Sequence, residues 1–238
     1  MSKVPKWVGD TIEIVFRNQI HPVEVSAVEY LSDKLKKVVF KGNLGENPFT
    51  PGQVVKFRIS DTEYRHYTPV KYDINQGICE VLFYLHGKGI GSIWAENLKI
   101  GDFSKILGPG GFLKYKEESK YHFLWGDETS LGLFKCLKES ILQNQQEYLC
   151  LLELEKEHHN WVSLSGLTAD VIDKSEEDLQ TYLNDFNEKC WKNWQNATFY
   201  LSGRAGSIQS FRKMLRKKGV KSQNIQTEPY WANGKHGL

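Results

Sequence analysis

The sequence lacks closely spaced cysteines: Cys79, Cys136, Cys150 and Cys190 are scattered, with no C-x-x-C spacing. That excludes a zinc ribbon and a four-cysteine iron–sulfur cluster, whose ligands come in near pairs. A disulfide scaffold is equally out of place in a chain of 238 residues, which can bury a core without staples. Long apolar runs are missing too. Stretches such as Val81-Leu82-Phe83-Tyr84-Leu85 fall far short of the roughly 20 residues a bilayer requires. The opening, Met-Ser-Lys-Val-Pro-Lys-Trp, has no apolar secretory core, so a cytoplasmic protein with no membrane attachment is expected. Charge of one sign is not in excess: 31 Lys and Arg against 29 Asp and Glu leave +2. A dedicated nucleic-acid binder needs more basic surplus than that. Repeats and low-complexity segments are absent.

What remains is a globular composition, 40% hydrophobic and 25% charged, in a length that suits one large domain or two small ones. The first half reads as β structure. Polar and apolar residues alternate over 11–14 and the pattern runs on to 16; further strands are expected over 23–30, 35–41, 54–59 and 78–85, rich in Val, Ile, Phe and Tyr. Turn clusters, Gly42-Asn43 and Asn47-Pro48-Phe49-Thr50-Pro51-Gly52, separate them. Short strands at this spacing predict an antiparallel β-barrel or a sandwich.

The second half changes rhythm. A short apolar strand at 121–125 leads to a helix over 128–142, with Leu131, Phe134, Leu137, Ile141 and Leu142 at helical spacing. A strand at 147–154 follows. Ser175-x-x-Asp178 predicts a capped helix carrying Leu179, Tyr182, Leu183 and Phe186. Then come a strand at 197–201 and a basic helix over 206–218. Strands alternating with helices predict a parallel α/β sheet of Rossmann-like kind. The polar stretch 114–120 marks the boundary, giving domains 1–116 and 117–238.

Several segments have the residue types for ligand chemistry. In Arg65-His66-Tyr67-Thr68-Pro69, an extended backbone turns Arg65 and Tyr67 the same way. An Arg fork clamps phosphate, and a Tyr ring beside it stacks on a flat heterocycle. Thr68 offers a hydroxyl and an N–H to that ring's edge. The same residues also suit an edge strand ended by Pro69. The run from His86 to Ala95 puts Gly87, Gly89, Gly91 and Ser92 between a strand and a helix start, where backbone amides meet phosphate; a plain flexible connection reads the same way. Gly108-Pro109-Gly110-Gly111-Phe112 is a turn signal. Gly126-Asp127-Glu128-Thr129 and Ser202-Gly203-Arg204 both fall at the carboxyl end of a strand, where open α/β sheets bind ligands; Asp127 and Glu128 equally suit a helix cap. Tyr230-Trp231 either packs on the fold or covers a flat ligand. From Arg204 through Arg212, Lys213, Arg216, Lys217, Lys218 to Lys221 there is no acid, which makes a solvated face or an electropositive rim.

In order, these segments resemble the siderophore-interacting protein family, the flavin-dependent ferric-siderophore reductases within the ferredoxin–NADP reductase superfamily. R-x-Y-T matches Arg65, Tyr67 and Thr68; H-G-x-x-G followed by W-A matches His86, Gly87, Trp94 and Ala95. G-D-E-T matches Gly126, Asp127, Glu128 and Thr129, and the terminal Y-W-x-x-G matches Tyr230, Trp231 and Gly234. The resemblance implies an FAD-binding barrel followed by an NAD(P)H-binding α/β domain. Arg65 would hold the FAD pyrophosphate, Tyr67 would stack on the isoalloxazine and Thr68 would sit near its N5, the pair at the reacting ring. The 87–92 turn, with His86 and Trp94 flanking it, would cradle the phosphates. Residues 126–129, with Gly203 and Arg204, would border the nicotinamide nucleotide, and Tyr230 and Trp231 would lie near the flavin. Departures are also visible. The family commonly has Arg after the Pro of R-x-Y-T-P, where Val70 and then Lys71 stand here; its G-P-R-G is Gly108-Pro109-Gly110-Gly111, and its A-G-E-A is Ser202-Gly203-Arg204-Ala205.

The expected reaction passes electrons from NADH or NADPH through FAD to a ferric siderophore, with no protein nucleophile and no resident metal. Lys71, Arg212 and Lys213 are the charge-based candidates for docking an anionic chelate. Arg204 would meet a 2′-phosphate, whereas Glu153 and Glu155 would instead bind ribose hydroxyls. Two other functions stay open: a reductase serving a protein partner such as ferredoxin, and a flavin-binding module without catalysis.

Overall fold

The computed structural model describes residues 19–111, 113–185, 191–192 and 194–234. The strand expected at 11–16, as well as Phe112, Phe186 and Cys190, lies outside the described residues, as does the side chain of Leu183. The chain divides into two compact units: Met1–Lys114 with Gly234–Leu238, and Tyr115–Asn233.

The first unit holds β1 (Ile20–Ser32), β2 (Leu35–Gly42), β3 (Val54–Ser60), β4 (Glu63–Tyr67), β5 (Lys71–Asp73) and β6 (Ile78–Tyr84), then α1 (Ile90–Asn97) and β7 (Phe103–Gly110). The strands form one sheet in the order β4-β3-β7-β1-β2-β6-β5. Every pairing is antiparallel, and the sheet curls into a half-barrel with β4 and β5 at its edges. Period-2 alternation explains the curl's filling: Val23, Val25, Val38, Phe40, Val55, Phe57, Val81 and Phe83 all turn into one core. β1 has irregular register between Val25 and Ala27 and again between Tyr30 and Ser32; such bulges sharpen strand twist and let a long strand bend. The segment read as a turn, Gly108-Pro109-Gly110, is instead the end of β7, with a cis bond at Gly108–Pro109. Its glycines and proline hide a strand that pairs Lys56 with Leu107 and Val54 with Gly110.

The second unit is a parallel sheet. β8 (Tyr121–Gly126), β9 (Glu147–Glu153), β10 (Asp170–Ile172), β11 (Thr198–Arg204) and β12 (Ile225–Trp231) run in the order β10-β9-β8-β11-β12. Its helices include α2 (Leu131–Gln143), preceded by a 3-10 turn at Glu128–Ser130, then α3 (Trp161–Leu164), α4 (Glu176–Asp185) and α5 (Ala205–Lys217). The chain winds outward from β8 to β10, then returns to β11 on β8's other side. The order therefore reverses between β8 and β11, the kind of crevice in which doubly wound sheets bind ligands. Phe123, Leu124 and Trp125 on β8 and Phe199, Tyr200 and Leu201 on β11 are fully buried, as strands covered on both faces must be. Ser175 Oγ accepts from the Asp178 N–H at 3.0 Å, so the expected cap on α4 forms. The short β10 and α3 have too few residues for a periodic signal, and β12 carries Pro229, which an edge strand tolerates.

Phe211 of α5 packs its ring 4.8 Å from Trp125 and 5.9 Å from Phe123 and is wholly buried. Phe211→Ala is expected to cost about 3–5 kcal/mol, read as a lower urea midpoint for the second unit.

Candidate functional site

In the first unit the site is built on the edge strand β4. Arg65 stands opposite Phe57 and Tyr67 opposite Val55, so both side chains take the inner face that Phe57 and Val55 occupy. The Tyr67 ring meets Phe83 edge-on at 4.7 Å and lies roughly parallel to Trp94 at 6.3 Å. Burial pushes the Tyr67 hydroxyl well above the usual tyrosine range, so it keeps its proton. Arg65 donates from Nη1 to the Tyr64 carbonyl at 2.8 Å and from Nη2 to Glu63 Oε1 at 3.2 Å. His66 takes the opposite face, across from Lys56. Burial, with the charges of Lys56 and Arg65 adding, lowers it to about 4, so it is neutral at physiological pH. Thr68 is buried.

The glycine turn meets this face directly. Gly91 is the second residue of α1, and a Cβ there would stand 2.9 Å from Tyr67 Oη and 3.1 Å from Arg65 Cγ. Only a residue without a side chain allows α1 to start so close. Gly89 caps α1 with φ 84° and no side-chain bond, and nothing lies within 4 Å of a Cβ added at Gly87 or Gly89. The backbone here faces open space. The N–H groups of Ile90, Gly91 and Ser92 have no intrahelical acceptor and sit at the positive end of the helix dipole. Two amides of the turn are already engaged: Gly87 donates to Ser92 Oγ at 3.0 Å and Lys88 to His86 Nδ1 at 3.1 Å. His86 is exposed, its ring 5.4 Å from Tyr84. Trp94 turns inward, 5.1 Å from Phe57. An arginine fork, a helix start and bare glycine backbone on one face fit a dinucleotide pyrophosphate, and Tyr67 fits the flat ring attached to it. Lys71, on β5, is exposed beside Gln76 and Asp73.

In the second unit, Asp127 follows β8 and is buried. Its Oδ1 accepts the Thr129 N–H at 2.9 Å and the Thr129 hydroxyl. Its Oδ2 accepts the Arg204 N–H at 3.0 Å and the Trp231 indole N–H at 2.8 Å. One carboxylate thus ties together the carboxyl ends of β8, β11 and β12. Burial raises its pKa, while the bonds from Thr129 and Trp231 oppose the rise. Gly203 has φ 101°, and a Cβ there would stand 2.5 Å from that carboxyl group. Glu128 is buried as well. Its Oε1 accepts the Glu155 N–H at 2.9 Å and lies 3.0 Å from His158 Nδ1, and its Oε2 pairs with Lys174 at 2.8 Å. Burial works to raise the Glu128 pKa, but these partners outweigh it and the net shift is downward.

Glu153 ends β9 and is buried; that burial pushes it up to about 7, against the bond from Ser207 and the charges of Arg204 and Lys174. Arg204 donates from Nε to Ser207 Oγ at 2.8 Å. The two residues expected to compete over the ribose, Arg204 and Glu153, are therefore linked through one hydroxyl. The side chain of Glu155 reaches Lys174 at 3.2 Å. Tyr230 is half-buried on β12, and Arg212 and Lys213 are exposed on α5. Lys174, His158 and Ser207 have no motif around them in the sequence; only the buried Glu128 and Glu153 reveal their use.

Residues 58–113 match the siderophore-interacting FAD-binding domain, and residues 119–234 match the siderophore-interacting protein family. No curated protein matches in sequence. Among solved structures, a siderophore utilization protein from T. fusca is 19% identical with a TM-score of 0.76, over 92% of this chain and 95% of that one. The siderophore-interacting protein SipS from Aeromonas hydrophila is 20% identical with a TM-score of 0.69, over 91% and 99%. A ferredoxin reductase in carbazole 1,9a-dioxygenase is 19% identical with a TM-score of 0.74, over 89% and 69%.

Glu153 generates a pH dependence. The folded chain holds its proton up to about pH 7, against an ordinary value of 4.5. The stability this brings is full below pH 4.5 and is lost as pH rises toward 7, on the order of 3 kcal/mol in all. Urea unfolding at a series of pH values should show that slope, and Glu153→Gln should flatten it.

Proposed function

The chain belongs to the siderophore-interacting protein family, and from that premise we propose that it is a flavin-dependent reductase carrying electrons from NADH or NADPH to a ferric siderophore or another ferric chelate. The observation that carries this reading is the meeting of Arg65, Tyr67 and the glycine start of α1 on one face, inside the segment matched to the FAD-binding domain. One reduced nicotinamide and two ferric chelates give the oxidised nicotinamide, two Fe(II) and one proton. Bound FAD supplies the conversion of a two-electron donor into one-electron steps.

The protein's part is binding and orientation. Arg65 and the amides opening α1 hold the pyrophosphate, combining a bidentate fork with a helix start. Tyr67, protonated and fixed by Phe83, offers its ring to the isoalloxazine and its hydroxyl as a donor. Thr68 supplies a hydroxyl and an N–H toward the ring's edge. In the second unit, the chain bends at residues 126–129 and 203–204 border the nicotinamide nucleotide at the reversal of strand order. Asp127 and Glu128 act there by fixing the backbone, since their carboxylates are taken up by internal donors. Tyr230 and Trp231 belong to the same rim. Iron is substrate in this reading: hard oxygen donors hold Fe(III) more tightly than Fe(II), so reduction loosens the chelate. Lys71, Arg212 and Lys213 are exposed cations that attract it.

The purified protein should bind FAD and show its visible bands, which anaerobic NADH or NADPH should bleach. A colourless protein that refuses added FAD overturns the reading; FAD bound without bleaching leaves a flavin-binding module instead. Arg65→Ala should weaken FAD binding at least about tenfold, by loss of a charge-assisted pair. Neutralising Arg212 and Lys213 together should raise KM for an anionic ferric chelate severalfold at low salt while kcat stays unchanged, and salt should erase the difference.

A further inference from the structure

β2 carries an anomaly. Its alternation turns Val38 and Phe40 into the core, and the same parity turns Lys36 inward. Lys36 is fully buried. Its Nζ donates to the carbonyl oxygens of Ala95, Glu96 and Leu98, each at 2.8 Å. An ammonium has three protons and here finds three acceptors, the condition for burying a charge without a large penalty. Its Nζ also lies 5.1 Å from the centre of the Tyr30 ring, on the strand position directly opposite.

Those carbonyls are the closing turn and C-cap of α1, where the helix dipole is negative. α1 has no basic residue of its own in its last turn; the sheet supplies one. The helix is eight residues long, about 12 Å of stiff rod. Its far end is the glycine start against Arg65 and Tyr67. Gripping three carbonyls at one end sets both the axis and the roll of so short a helix, and thus where the N–H groups of Ile90, Gly91 and Ser92 aim.

We propose that Lys36 is a positioning residue of the FAD site: it holds the carbonyl end of α1 so that the amide end is aligned for the pyrophosphate. This rests on the reading that FAD binds at Arg65 and the glycine turn. The test compares FAD with riboflavin, which has the same ring and no pyrophosphate, by fluorescence titration on the full chain. The variants are Lys36→Met, which fills the space without donors, and Lys36→Arg, which keeps donors and charge on a longer fork. Lys36→Met should lose about a hundredfold in FAD affinity and less than about threefold in riboflavin affinity. Lys36→Arg should fall between it and wild type, and the visible circular dichroism of bound FAD should change in both. Equal losses for the two ligands, or none, overturn the proposal. A wild-type protein that does not favour FAD over riboflavin overturns the dinucleotide reading instead. Should Lys36→Met not fold, wild-type hydrogen exchange decides: FAD should slow exchange across 90–98 as one block, and protection confined to 90–93 counts against a rigid link from Lys36 to the site.

Discussion

Asp127 collects N–H donors from three strand ends of the second unit, two from backbone and one from an indole, with a hydroxyl besides. At the carboxyl edge of a parallel sheet the ladder stops, and the backbone amides that follow must find acceptors elsewhere. A buried carboxylate is a strong acceptor with room for four bonds. Once it stands there, the surroundings lose their freedom. Residue 203 has to be glycine, because both its φ and the carboxyl group leave no place for a side chain. The Arg204 amide is fixed, so its guanidinium reaches Ser207, and Ser207 in turn bonds Glu153. The geometry of a whole rim descends from one buried charge.

The first unit solves the mirror problem with the opposite charge. Lys36 meets carbonyls at a helix end as Asp127 meets amides at strand ends. In both cases an ion is removed from water, which is costly unless every proton or lone pair finds a partner; Lys36 finds only carbonyls, and Asp127 finds two backbone amides, an indole and a hydroxyl. Rigid placement of the main chain at these ends follows. Main-chain groups are worth more when they need no reorganisation on binding.

These charges explain what could and could not be read from the sequence. Strands whose inward positions are apolar, such as 35–41 and 78–85, were legible because alternation is a one-dimensional signal. The Arg65 and Tyr67 pairing was legible for the same reason. β7 was not, since Phe103 is exposed and Gly108, Pro109 and Gly110 carry no alternation. Lys36 sat at an inward parity throughout, but a lysine in an alternating strand reads as the polar face. Only the carbonyls 59 to 62 residues away reveal its use. Asp127 and Glu128 read equally as ligands and as caps; which they are depends on Trp231, Glu155 and Lys174, all distant in the chain.

The departures from the family pattern acquire physical meaning on the same terms. Val70 is buried, and its N–H donates to the Glu80 carbonyl at 2.8 Å. A guanidinium placed there would have to leave the core or find partners within it. The exposed cation is one residue later, at Lys71. A point charge on a flexible stem replaces a planar fork, which suits a diffuse anion better than a bidentate phosphate. Gly110 is the opposite case, with open space around an added Cβ; nothing steric forbids an arginine there, so its absence removes a charge and leaves the backbone as it is. At Arg204 the base in place of the family's acid is restrained by Ser207, and Glu153 lies at the same hydroxyl with its pKa raised. Loss of the Glu153 proton puts a new negative charge beside Arg204. The charge of this rim therefore depends on whether Glu153 is ionised, and that changes near pH 7.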